Sequence, residues 1–147
     1  MVGAPITVDD PVAAVKEWFQ LLTVYCSTVD YDSARQIFAG DVASFGTYAD
    51  AVRGLDRLQK EQWEQVWPRT SGFRVLMDSV NGGGDVNVAW GMATWESTGY
   101  KEGGVEFLRR GRATAVLARS SDGWAAVHTH FSLFPDVSRS TQDPSVS

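Results

Sequence analysis

The chain has 147 residues, of which 44% are hydrophobic and 21% charged, and it carries a formal net charge of −5 with a pI near 4.9. That composition is typical of one globular domain, long enough to bury a core. The acidic balance argues against a sequence-independent grip on nucleic-acid phosphates, and no apolar run approaches bilayer length.

Residues 1–9 show neither a basic leader nor a following apolar block, so they are expected to form a flexible N-terminus of a cytoplasmic protein. Asp10 is suited to N-cap a helix and Pro11 to its first position, and Val12, Val15, Phe19, Leu22 and Cys26 recur at helical spacing, which predicts a helix over Asp10–Thr28. Trp18 and Tyr25 widen that stripe. Cys26, the single cysteine, cannot form an internal disulfide and reads as an inert buried thiol.

Asp30 can cap a short second helix reaching Phe38. Gly40 breaks the pattern, and Asp41–Tyr48 reads as a short strand. A third helix is predicted from Gly54 to Trp67, stopped by Pro68, with Leu55, Leu58, Trp63, Val66 and Trp67 on one broad face. FRVLMDSV, VNVAWGMATWES, VEFLRRGRATAVLARS and WAAVHTHFSLF then read as four strands of an antiparallel meander, with NGGGD, TGYKEGG and SDG as turns. Helices followed by strands make an α+β domain over residues 10–135. Residues 136–147 are rich in Ser, Thr, Asp and Pro and are expected to be a disordered tail.

Strand alternation puts Ala125, Val127, Thr129, Phe131 and Leu133 on one face of the last strand and Trp124, Ala126, His128, His130 and Ser132 on the other. Helices cover only one face of a sheet. The second face is therefore expected to meet a second copy, through Trp124, His128 and His130.

GRATAVLARSSDGWAAVHTHFSLFP resembles the closing hairpin of the SnoaL-like and calmodulin-dependent-kinase association-domain branch of the nuclear transport factor 2-like superfamily. It has that branch's Arg-x-Thr strand, Gly-Trp turn and His-x-His-x-Ser strand. VDYDSARQIFAGDVASFGTYADAVRGLDRLQKEQWEQVW is similar to its helix, short strand and Gly-led third helix. The resemblance implies a cone-shaped, cystatin-like α+β roll, in which a curved antiparallel sheet wraps about three N-terminal helices around a pocket. Its branches include isomerases, cyclases, dehydratases, ligand binders and oligomerisation hubs. The expectation is a homodimer that binds a small apolar molecule with a carbonyl or hydroxyl group, as in polyketide-type secondary metabolism; whether it also transforms it, by acid/base chemistry of the isomerase, cyclase or dehydratase type, is left open. The alternative is an accessory oligomerisation module with a vestigial pocket. No cofactor is implied.

Four residues are candidates for acid/base work. Asp78 and Glu96 lie in predicted strands, where a cavity would raise their basicity. His128 and His130 share a face, but a metal site needs a third ligand, and no third histidine or second cysteine exists, so none is expected. Cavity walls are expected from Tyr25, Tyr48, Trp63, Trp67, Trp90 and Phe131, with Arg112 and Thr129 as polar contacts. Arg112 stands among small and apolar strand residues, where a guanidinium needs an anionic partner, and the resemblance favours a buried role for it.

Overall fold

The computed structural model describes residues 5–135. Helix α1 (Pro11–Ser27) is capped by Asp10, whose Oδ2 accepts from the Ala13 N–H at 2.9 Å. Its buried stripe is Ala14, Val15, Trp18, Phe19, Leu22 and Cys26. The short α2 (Tyr31–Arg35) is capped by Asp30, and β1 (Phe38–Phe45) and β2 (Ala51–Arg53) follow.

The third helix is not uniform. It starts as α3 (Leu55–Leu58), passes through a π-helical turn (Gln59–Trp63), resumes as α4 (Glu64–Val66) and ends in a 3₁₀ turn (Trp67–Arg69) that holds Pro68. Leu58 and Trp63 are five residues apart, which regular α spacing would separate by about 140°. The wider π turn absorbs the extra residue, and both side chains are buried.

The strands β3 (Ser71–Val75), β4 (Asn81–Gly84), β5 (Val88–Tyr100), β6 (Glu106–Ser120) and β7 (Gly123–Leu133) complete one sheet, ordered β2-β1-β7-β6-β5-β3, with β4 also paired to β5. The expected all-antiparallel sheet is corrected to a mixed one, because β1 pairs with β7 in parallel. The NGGGD segment, expected as a turn, supplies the strand β4. Gly82 and Gly91 face each other in register, and a β-carbon on Gly82 would sit 2.8 Å from the Trp90 carbonyl oxygen, with Val15 of α1 close behind. The absent side chains let α1 lie directly on the sheet.

Two expectations about the ends of the domain are overturned. Trp124 is not on the outer face: it is 0% exposed, and its indole N–H donates to the Val8 carbonyl at 2.8 Å. The cause is a register shift in β7, where Leu117 faces Ala126 but Val116 faces His128, so Val127 is extra and the alternation restarts. Trp124 and Ala126 before the bulge, and Thr129 after it, therefore all point inward. Residues 5–9 are docked rather than free: Ile6 is fully buried, its carbonyl accepts from Trp124 N, and Asp9 pairs with Arg119 at 2.6 Å. Residues 1–4 and the expected tail at 136–147 lie outside the described residues.

Candidate functional site

The helices do not fill the concave side of the sheet evenly. At the end away from Trp124, a cavity of about 50 Å³ opens between the C-terminal half of α1, the α3–α4 rod and strands β3, β5, β6 and β7. Its walls are aromatic. Trp63 and Trp67 stack at 4.7 Å with 16° between planes, and Tyr31 stacks on Trp67 from behind. Phe38 meets Trp63 edge-on at 4.9 Å, while Phe73 leans on Trp95 at 5.5 Å across the cavity floor.

The mouth is organised by Gln62, which the π turn directs inward. Its Oε1 accepts from the backbone N–H groups of Tyr48 and Ala49 at 3.0 and 2.7 Å, and its Nε2 donates to Thr47 at 2.9 Å. One buried amide thereby holds the 47–49 loop. Gly46 lies beside it, and a β-carbon there would overlap the end of the Gln62 side chain and push it from these partners.

Few polar groups enter this apolar space. Ser44 and Thr129, paired in register between β1 and β7, share a hydroxyl–hydroxyl hydrogen bond of 2.7 Å, which uses only one of their two protons. Arg109 of β6 is half-buried. Its Nη1 donates to Ser97 at 2.7 Å, and its guanidinium lies 5.3 Å from the Trp95 ring centre. Burial depresses its pKa below the usual arginine value. The Cys26 thiol also lines the cavity. Its pKa is pushed well up by burial, against a smaller opposing pull from Arg109, so it stays protonated and inert. Trp95 is 2% exposed, and its indole N–H has no acceptor among the described residues.

With this geometry in place, similarity becomes informative. A family model described as a SnoaL-like domain matches residues 13–136. The chain belongs to the SnoaL-like domain family. Solved structures share the fold of this SnoaL-like domain at low sequence identity. One is a nuclear transport factor 2-like superfamily protein from Salmonella enterica, at 18% identity and TM-score 0.73, covering 86% of this chain and 92% of that one. Another is a candidate calcium/calmodulin-dependent protein kinase II association domain from Xanthomonas campestris, at 15% identity and TM-score 0.73, covering 93% and 97%. A third is a ketosteroid isomerase-like protein from Erwinia carotovora atroseptica, at 15% identity and TM-score 0.72, covering 88% and 100%. At these identities the likeness establishes fold alone. No curated protein matches the sequence.

The sequence-derived candidates divide sharply over this SnoaL-like scaffold. Trp63, Trp67, Thr129 and Phe131 line the cavity. Tyr25 packs against the core without lining it, and Tyr48 is 67% exposed, contributing its backbone N–H rather than its ring. Trp90 lies on the outer face of β5, 46% exposed. Arg112 also points outward, 5.4 Å from the Phe134 ring centre, beside a second depression of about 230 Å³. Parity explains the correction: Ala113, Ala115 and Leu117 face inward, and counting back by twos reaches Gly111 and Arg109, not Arg112.

None of the four acid/base candidates reaches the cavity. Asp78 is exposed in a 3₁₀ turn, and Glu96 points outward in an ion pair with Arg74 at 2.6 Å. His128 Nδ1 is 2.8 Å from the Ala43 carbonyl, which can only accept, so that nitrogen carries the proton. His130 is exposed, 5.1 Å from the ring centre of Phe45. Among the described residues no three His, Cys, Asp or Glu side chains gather as a metal set, and no helix is long and apolar enough to cross a membrane.

Proposed function

We propose that the protein is a cytoplasmic pocket protein that takes a small apolar molecule between Trp63, Trp67 and Trp95, and that two copies associate through their outer sheet faces. The observation that carries this reading is the aromatic cavity itself, which combines flat apolar walls with a small set of polar groups, as ligand sites do. Among the described residues its lining includes no carboxylate and no imidazole. Binding, rather than proton abstraction by an Asp, Glu or His of the wall, is the function this geometry supports best. A carbonyl- or hydroxyl-bearing ligand of the polyketide type suits the Thr129 hydroxyl and the donors of Arg109.

The dimer rests on a different observation. Across the outer face, Trp90 sits opposite Val116 and Val116 opposite His128, while Met92, Thr114, His130 and Phe45 form the next row. Trp90 and Met92 are neighbours on β5 and each about half exposed, as is Phe45 at the far end of the second row, an apolar surface broken by Thr114 and His130 that a second copy would cover. The rival reading, an oligomerisation module with a vestigial pocket, draws on the same patch.

Native mass spectrometry of the purified protein separates the two readings. The pocket reading expects a small molecule retained by the wild type and lost from Trp63→Ala while the dimer persists. Trp90→Glu should give a monomer that still retains the molecule. A dimer that carries nothing and gains no thermal stability from any apolar compound would leave only the rival.

A further inference from the structure

Arg109 is out of place in a purely apolar pocket. Among the described arginines that are not exposed, Arg35 and Arg119 each meet a carboxylate at 2.6 Å, to Asp56 and Asp9, whereas Arg109 meets none. A guanidinium offers five N–H donors, and the one hydrogen bond its side chain makes is to Ser97. Beside it the indole N–H of Trp95, fully buried, has no acceptor. Among the described residues, the cavity wall therefore presents the positive charge and free guanidinium donors of Arg109, with no negative group in its lining. A half-desolvated charge left so is costly unless an anion completes it.

We propose that the ligand of this pocket is an apolar carboxylic acid, its carboxylate paired with Arg109 and its hydrocarbon or aryl body held between Trp63, Trp67 and Phe73. This rests on the pocket reading and narrows it. A ketone or alcohol would satisfy a donor but leave the charge unpaired, while a carboxylate answers both and matches the planar fork of the guanidinium. An amine would meet only like charge.

The test is a titration at pH 7 and low salt with benzoate and its neutral near-isostere benzamide, followed by calorimetry, on the wild type, Arg109→Met and Arg109→Lys. Benzoate is expected to bind the wild type at least about tenfold more tightly than benzamide, the strength of one charge-assisted hydrogen bond. Arg109→Met should bind the two equally, and Arg109→Lys should keep part of the preference. Arg109→Met should melt no lower than the wild type, since a residue kept for packing would lower the melting temperature when removed. Equal affinities in the wild type, or a preference that survives in Arg109→Met, would overturn the acid while leaving the pocket standing. Binding of neither compound to the wild type would overturn both.

Discussion

Two groups of tryptophans lie on the concave side of this sheet, and they have been put to different uses. At one end Trp18 and Trp124 are completely buried, and each indole N–H has a backbone acceptor at 2.8 Å, on Ile37 and Val8. At the other end Trp63, Trp67 and Trp95 surround open space, Trp95 has an unanswered N–H, and the nearby guanidinium has no acid. The residue type is the same, and so is the apolar surface. What differs is whether the polar atoms are satisfied from within the chain: where they are, the tryptophan holds the fold, and where they are not, the site is left for something from outside.

That contrast can be broken by substitution, and the largest effect belongs to the closed end. Trp124→Ala should cost about 4 kcal/mol in urea unfolding, because it leaves a void and strips the Val8 carbonyl of its donor. A loss below about 1 kcal/mol would mean that the N-terminal segment does not dock as described. Next comes the pocket mouth. Gln62→Leu leaves two backbone N–H groups and one hydroxyl without their partner, and should cost about 2 kcal/mol while accelerating amide exchange at Tyr48 and Ala49. Unchanged exchange there would show that the loop is held by something else.

A smaller effect is tied to pH. Burial raises the Cys26 pKa above its ordinary value of 9.0, so above pH 9 the unfolded chain gives up the proton that the folded chain keeps. Stability is unaffected by this group below pH 9, and falls by up to about 1.4 kcal/mol per unit as pH rises toward the folded value. Cys26→Ala should remove that slope, as parallel melts of the two proteins at pH 8 and pH 10 would reveal. The smallest effect is expected at the Arg74–Glu96 pair on the outer face, where Glu96→Gln should change stability by less than about 0.5 kcal/mol. A loss well beyond that would place Glu96 in a role the exposed ion pair does not describe.

Much of this architecture was legible in the residues. Asp10, Pro11 and Asp30 marked helix starts that the hydrogen bonds realise, and the four long apolar runs became β3 and β5–β7. The SnoaL-like resemblance, carried by the Arg-x-Thr and His-x-His-x-Ser strands, matched the family. The sites were harder, for two physical reasons. A β-bulge inserts one residue and reverses every later assignment of faces, so Trp124 and His128 could not be told apart by alternation alone. Arg109 has the parity of Ala113 and Gly111, but the small residues flanking Arg112 give that position the more enclosed look in sequence. The π turn that aims Gln62 and Trp63 inward has no counterpart in simple helical spacing.

The two tryptophan groups offer the most direct measurement of all. The six indole N–H groups give separate proton–nitrogen correlations, and benzoate can be titrated while they are watched. The signals of Trp63, Trp67 and Trp95 should move along one saturable curve, with those of Trp18, Trp90 and Trp124 stationary. Movement led by Trp90, or saturation with all three cavity indoles unmoved, would place the ligand elsewhere and contradict the division of labour proposed for the concave face.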